Sequence, residues 1–398
     1  MVNKKSINKK RICIISFSNI KNDIRVQREI EMARMHFKVT VLGYGAWEPS
    51  DNVQYIRVPV TPRRKTYLFL YACKLILGRI FPKLYDALYW GKKEYKIGLA
   101  LLEKSGFDLV HANDWDSLPL AAKAAQNTDF RLLFDAHEFS PEQEAYTLFG
   151  KYFIKPYRNY LFKKFLKRAD KVITVSAGIQ DLFYQQFGIK SELILNASVF
   201  KQFHLSPTDE NRLSIIHHGI AVKGRCIEEM IRMISLTDER FTLYLMLVER
   251  SDRKYVPKLK KFAQKNALGR VVFLQSVDPD QVLDAVSAYD IGLPLLEASQ
   301  KSYLNALPNK FFHYIMAGLA IAVPPLPAMA EIIKREGIGC VAQSIDAKAV
   351  ANMLNKLDSK DIIVYKKRSL ELAKRMNAEV EMDKLLAMYQ ELLVDRIK

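Results

Sequence analysis

The sequence predicts an α/β protein made of two doubly wound parallel-sheet domains. Three observations carry this: short β-branched runs alternate with amphipathic stretches, the strand runs are almost continuously apolar, and the series occurs twice. Apolar strands separated by helices are what a parallel sheet covered on both faces requires. A chain of 398 residues, 49% apolar, is also too long for one ordinary core and too apolar for disorder.

In the first series the strand candidates are Arg11–Phe17, Lys38–Gly43, Asp108–Ala112, Arg131–Ala136, Lys171–Val175 and Leu193–Leu195. In the second they are Ser214–His218, Thr242–Val248, Val271–Gln275, Ile291–Leu295, Ala320–Val323 and Cys340–Ala342. Helical periodicity fills the gaps; Ile227, Met230, Ile231 and Ile234, for example, fall on one face. The pattern breaks across 200–211, where Lys, His, Pro and a Thr-Asp-Glu-Asn cluster intervene. Domains are therefore expected over 1–205 and 206–375, with 376–398 a closing helix free to pack back toward the first. The tail from Asp361 reads as two helices. Such domains are expected to face across a cleft lined by strand carboxyl ends, where ligands of these sheets bind.

Charge is uneven. The chain carries 61 Lys and Arg against 43 Asp and Glu, a net +18. Residues 1–200 hold 32 basic and 19 acidic residues, so most of the excess lies in the first half. That implies an anionic partner, nucleic acid or an acidic membrane surface. Two stretches are basic and aromatic together. One, 61–100, includes Arg63, Arg64, Lys65, Tyr67, Phe69, Tyr71, Lys74, Arg79, Phe81 and Lys83. The other, 151–171, includes Lys151, Tyr152, Phe153, Tyr157, Phe162, Lys163, Lys164, Phe165, Lys167 and Arg168. Interfacial helices have this composition, as do solvated faces over core helices. No nucleic-acid recognition motif is visible, so no nucleic-acid partner is expected.

Other classes fall away. Cys13, Cys73, Cys226 and Cys340 are far apart with no CxxC pair, against a disulfide framework or zinc site. The most lipid-like stretch, Tyr67–Phe81, is interrupted by Lys74 and Arg79 and too short to span a bilayer. The basic start, Met1–Arg11, is not followed by an export segment. The expectation is a cytoplasmic protein, soluble or peripheral on a membrane.

Two helix starts in the second half are candidate anion sites. His218-Gly219 leads through Lys223 and Gly224 to Arg225, and Pro308-Asn309-Lys310 opens a helix with proline expected at its first position. Cations at a helix start oppose the macrodipole by about 0.3–1 kcal/mol unless an anion binds there. Each site alone reads equally as solvated cations; two after strands of one sheet read as a diphosphate clamp of Arg225, Lys310, Gly219 and Asn309. His313 shares the face of Asn309 and is either a ligand-hydroxyl partner or a buried structural histidine. Phe312, Ile315 and Met316 are expected to face the core.

In the first half, polar residues crowd two strand ends: His111-Ala112-Asn113-Asp114 and Asp135-Ala136-His137-Glu138. His137 and Asp114 are the catalytic candidates, with a structural histidine as the plainer reading of His137. Asp23 reads as a helix N-cap, with Arg25 just behind it. No spacing supports a metal site, and no GxGxxG fingerprint is present.

Taken in order, these segments resemble glycosyltransferase family 4. The resemblance rests on Asn22-Asp23-Ile24-Arg25-Val26, Leu109-Val110-His111-Ala112-Asn113-Asp114, Phe134-Asp135-Ala136-His137-Glu138, Val172-Ile173-Thr174-Val175-Ser176, His218-Gly219 with Arg225, and Leu307-Pro308-Asn309-Lys310-Phe311-Phe312-His313-Tyr314 through Gly318. It implies two Rossmann-like domains in the GT-B architecture. It also implies retaining sugar transfer, hexosyl or related, from a nucleotide-sugar donor to a hydroxyl without metal or other cofactor. By similarity, Arg225 and Lys310 would hold the donor diphosphate, His313 would lie at the donor ribose, and His137 would lie near the reacting hydroxyl. Asp23, Arg25 and Asp135 would belong to the acceptor side. The implied acceptor is a glycan, lipid-linked at the inner face of the plasma membrane, in surface polysaccharide synthesis. Where the family often carries E-x7-E, this chain has Asn305 and His313, which motivates a rival reading as a catalytically silent GT-B subunit supporting a partner enzyme. A GT-B nucleotide-sugar epimerase is a third reading.

Overall fold

A computed structural model describes residues 9–60, 65–145, 147–223, 225–249, 254–267, 269–295 and 304–394. The chain divides into two compact units, one of residues 1–194 with 382–398 and the other of residues 195–381. The division thus falls before the 205/206 boundary expected from composition, because residues 195–205 pack with the second unit.

The first unit holds strands β1 (Arg11–Asn19), β2 (Lys38–Tyr44), β3 (Val53–Arg57), β4 (Leu109–Asn113), β5 (Arg131–Ala136), β6 (Lys171–Thr174) and β7 (Glu192–Leu193). They form a parallel sheet in the order β3-β2-β1-β4-β5-β6-β7. Side chains alternate across it with period two. Cys13 and Ile15 join one core layer with Val110, Leu132 and Phe134. Ile12 and Ile14 face the other, against Val26, Ile30 and Ala33 of the helix Ile24–His36 and Leu385, Met388, Tyr389, Leu392 and Leu393 of the chain's last helix. Strand β3 has no counterpart among the sequence candidates. It is an edge strand paired only to β2, half exposed, so its composition never becomes a continuous apolar run.

The second unit holds β8 (Leu213–Ile220), β9 (Phe241–Val248), β10 (Val271–Leu274), β11 (Ile291–Gly292), β12 (Ala320–Val323) and β13 (Gly339–Val341), parallel in the order β10-β9-β8-β11-β12-β13. Strand β11 stops earlier than expected, and just beyond it the Leu293 carbonyl accepts from the His217 side chain. Ile227, Met230, Ile231 and Ile234 are buried as their spacing requires. The helix Asn309–Met316 buries Phe312, Ile315 and Met316, but Pro308 caps it from outside and does not open it. Tyr314 of that helix packs on Gly292, where an added Cβ would lie 2.3 Å from its ring.

Two expectations about the basic aromatic stretches change, and some of the residues singled out from the sequence are not described. Arg63 and Arg64, the Lys65 side chain and Gly224 lie outside the described residues. Tyr157, Phe162 and Phe165 are core side chains, not an interfacial face. Lys164 is paired with Asp86 at 2.7 Å and so is not a free cation.

Candidate functional site

In the first unit, β4 and β5 end side by side, with Asn113 opposite Asp135. Asp114 follows with a positive φ of 64°, a left-handed conformation that Asp tolerates better than most residues. Its main-chain N–H donates to the Asp135 carbonyl, and Ser117 Oγ caps the turn from the Asn113 and Asp114 carbonyls. This turn sets Asp114 Oδ2 3.5 Å from His137 Nδ1. On the other side of the ring, Nε2 lies 3.1 Å from Asn113 Oδ1 and 3.3 Å from Asp135 Oδ2.

Asp135 is fully buried and accepts from Arg25 Nε at 2.7 Å. Arg25 also donates to the Ile194 carbonyl and lies 3.4 Å from Glu29. Burial works against a charged His137 imidazole, but the carboxylates of Asp114 and Asp135 outweigh it and push its pKa up to about 10. At neutral pH His137 is therefore an imidazolium, a donor and a positive charge, and no base. Burial and the adjacent Asp135 charge hold Glu29 well above the usual carboxylate range. His111, buried beneath, is pushed down to about 3 and stays neutral.

The sequence-derived acceptor group divides here. Arg25 and Asp135 lie inside, supporting His137, and offer no surface to an acceptor. Asp23 caps the helix Ile24–His36 through Val26 N–H and accepts from Ser18 Oγ at 2.6 Å. Glu29, His111 and Asp135 have ligand atoms within 4.8 Å of one another, a spacing a metal could use. Arg25 already supplies the cation there, so the donor set fits an ion pair better than a metal.

In the second unit, β8 ends in His217-His218-Gly219, beside the helix Asn309–Met316. His217 Nδ1–H donates to the Leu293 carbonyl at 2.7 Å, leaving Nε2 to accept from Lys310 Nζ at 3.1 Å. Gly219 has φ 136°, and a Cβ there would come within 3.2 Å of Lys310 Nζ, so glycine keeps the approach to the ammonium open. Lys310 is only 8% exposed. Among the described residues no carboxylate is paired with Lys310 or with Arg225. Burial and then the nearby Arg225 charge lower the Lys310 pKa to about 7. Two cations with no counter-charge among the described residues, one of them buried, form a candidate anion site.

The remaining residues of the expected clamp are placed as follows. Arg225 precedes its helix, Ile227–Leu236, whose first turn already carries Glu228 and Glu229. Asn309 is in the first turn and accepts from Asn196 Nδ2 at 2.8 Å. His313 stacks on His218 with centroids 5.1 Å apart and its Nδ1 3.3 Å from His218 Nε2. Sequence reasoning misses Glu29, His217 and Tyr389 as site neighbours; each sits in an ordinary apolar periodicity, and only the fold brings it under a charged group.

Residues 30–197 match the model of Glycosyltransferase Family 4. No curated protein matches the chain. Among solved structures, sucrose-phosphate synthase of Thermosynechococcus elongatus superposes with TM-score 0.71 at 17% identity, covering 97% of this chain and 100% of that one. A glycosyltransferase from Rickettsia africae gives 0.66 at 13%, over 97% and 99%. HepE of Anabaena, solved in complex with UDP, gives 0.67 at 15%, over 96% and 100%. At such identities these are likenesses of fold. Together these likenesses give the chain the GT-B fold. Over residues 30–197 the chain is similar to Glycosyltransferase Family 4.

Proposed function

We propose that the protein transfers a sugar, with retention, from a nucleoside-diphosphate sugar to a hydroxyl of a glycan acceptor. The observation that carries this is the pair Arg225 and Lys310, a guanidinium beside a buried ammonium in the second unit, neither paired with a carboxylate among the described residues. Its natural complement is a diphosphate. The structurally similar HepE binds UDP, which makes UDP sugars the first donors to test. His137, held as an imidazolium, stabilises negative charge at the reacting hydroxyl and removes no proton; the departing phosphate accepts the acceptor's proton. The reaction as proposed needs no metal or other cofactor, and chelator should leave it unchanged. Thermal shift across nucleotide sugars, followed by transfer or hydrolysis assays, tests the proposal.

A lipid-linked acceptor at the inner face of the plasma membrane, in surface polysaccharide synthesis, is the finer part of the proposal. Among the described residues no helix is long and apolar enough to cross a membrane. Yet Phe69, Ile80 and Phe81 are 69%, 70% and 60% exposed, and Leu148 and Tyr152 are 76% and 52%. The helix Lys65–Gly78 packs against the turn Gly150–Ile154, so these side chains belong to one region. Lys74, Arg79 and Lys151 stand among them. Apolar side chains fringed by cations suit an anionic lipid surface.

One observation favours a second reading. His313 stacks on His218 where the family resemblance leads one to look for a carboxylate at the donor ribose. A silent GT-B subunit would bind nucleotide weakly and turn over no donor, which the same assays separate.

A further inference from the structure

The polar core beneath β4 and β5 extends beyond Arg25, Asp135 and His137 to a residue at the far end of the sequence. Tyr389, on the helix Ala378–Val394, places its Oη 2.6 Å from His111 Nδ1, and both side chains are fully buried. The opposite ring nitrogen, Nε2, lies 3.9 Å from Asp135 Oδ2, the oxygen that Arg25 holds and that faces His137.

We infer that Tyr389 is a positioning residue for the His137 centre, its hydroxyl fixing the His111 ring so that Nε2–H points at Asp135.

The assignment follows from the hydrogen count. A neutral imidazole carries one proton. Were it on Nδ1, the Tyr389 oxygen would accept, and its own buried proton would have no acceptor that the structure records. The bare Nε2 lone pair would then face a buried carboxylate across 3.9 Å. Tyr389 donating to Nδ1 removes the first cost, and a proton on Nε2 replaces a repulsive lone pair by an N–H dipole aimed at the carboxylate, an electrostatic attraction across 3.9 Å and not a hydrogen bond. Glu29 does not compete, since its Oε2 is 3.8 Å from Nδ1, beyond hydrogen-bond reach. Asp135 then stands between the Arg25 and His137 cations, with the His111 N–H dipole directed at the same oxygen from 3.9 Å. The last helix thereby does more than cover the sheet: it sets the proton on His111. The geometry stands without any assigned activity; only its functional meaning rests on His137 serving the reacting centre.

The experiment is nitrogen-15 NMR of histidine-labelled full-length protein, with His111 and His137 assigned from His111→Asn and His137→Ala. In the wild type His111 should carry its proton on Nε2, with Nδ1 unprotonated, and should stay neutral to about pH 4. In Tyr389→Phe, which keeps the ring and its packing, the His111 proton should redistribute to Nδ1. The His137 ring resonances should then shift, and that shift should be lost when Tyr389→Phe is made in the His111→Asn background. A wild-type His111 protonated on Nδ1 would overturn the inference, and this measurement needs no variant to fold. So would His137 resonances that do not move in Tyr389→Phe. Failure here leaves the His137→Ala activity test untouched, so the two readings fail separately.

Discussion

Lys310 Nζ donates to His217 Nε2 across 3.1 Å, and His217 can accept because its Nδ1–H is committed to the Leu293 carbonyl. The ammonium is thus held by a neutral acceptor and lies near Arg225, with no counter-charge among the described residues. Its pKa, lowered to about 7 by burial and Arg225, makes anion binding proton-linked. A bound diphosphate raises that pKa. Affinity should therefore be flat below about pH 7 and decline above it, by up to about tenfold per pH unit until the bound-state pKa is reached. Calorimetric titration of the preferred nucleotide at pH 8, in buffers of different ionisation enthalpy, should show proton uptake. No uptake would mean Lys310 is already charged or does not meet the anion.

The same linkage gives a stability prediction of definite sign. Lys310 has a folded pKa below its unfolded value near 10.5, so its burial costs stability increasingly as pH falls from 10.5 toward 7. Lys310→Met should match the wild type in strong base and exceed it at neutral pH, read by denaturant unfolding. A Met variant less stable at pH 7 would show that Lys310 is compensated by a further group.

His137 runs the other way. Its pKa is raised to about 10, so its ion pairs contribute fully below about pH 6.5 and are lost as the pH climbs through 10. Asp114, 40% exposed at its side chain, can be neutralised without disturbing the core. Asp114→Asn should lower the His137 titration by about one unit. His137→Ala should reduce turnover by roughly a hundredfold or more while nucleotide affinity persists, as expected for charge stabilisation in the transition state. Wild-type turnover in His137→Ala would return the residue to a structural role.

Much of this is legible in the sequence, and the failures have physical causes. Continuous apolar runs such as Arg131–Ala136 and Ala320–Val323 announce buried parallel strands, and the strands end where the runs do. The edge strand Val53–Arg57 is not announced, since one side of it needs no apolar residue. Lys310 is visible as a cation at a helix start, a position that reads as an anion site once Arg225 is read beside it. Its burial, and its hydrogen bond to His217, are not visible, because sequence shows neither depth nor partner. That Arg25 and Asp135 lie inside is not visible either, because the ion pair that lets two charged side chains be buried joins residues far apart in sequence.

Membrane binding should follow the exposed side chains. Phe69, Ile80, Phe81 and Leu148 contribute an apolar part that salt does not screen, and Lys74, Arg79 and Lys151 contribute about 1 kcal/mol each near an anionic leaflet. Sedimentation with liposomes should require acidic lipid, weaken with salt and leave a salt-resistant remainder. Ile80→Ser with Phe81→Ser should remove that remainder and leave the fold intact. Equal pelleting with neutral and acidic vesicles, or none with either, would assign this surface to something else.

The central claim is that Arg225 and Lys310 hold the donor diphosphate. The direct measurement is nucleotide-sugar affinity, by thermal shift and calorimetry, for the wild type, Arg225→Ala and Lys310→Ala. Charged hydrogen bonds contribute roughly 1.5–3 kcal/mol, so each variant should stay folded and lose about tenfold or more in affinity. Unchanged affinity in both folded variants would contradict the account.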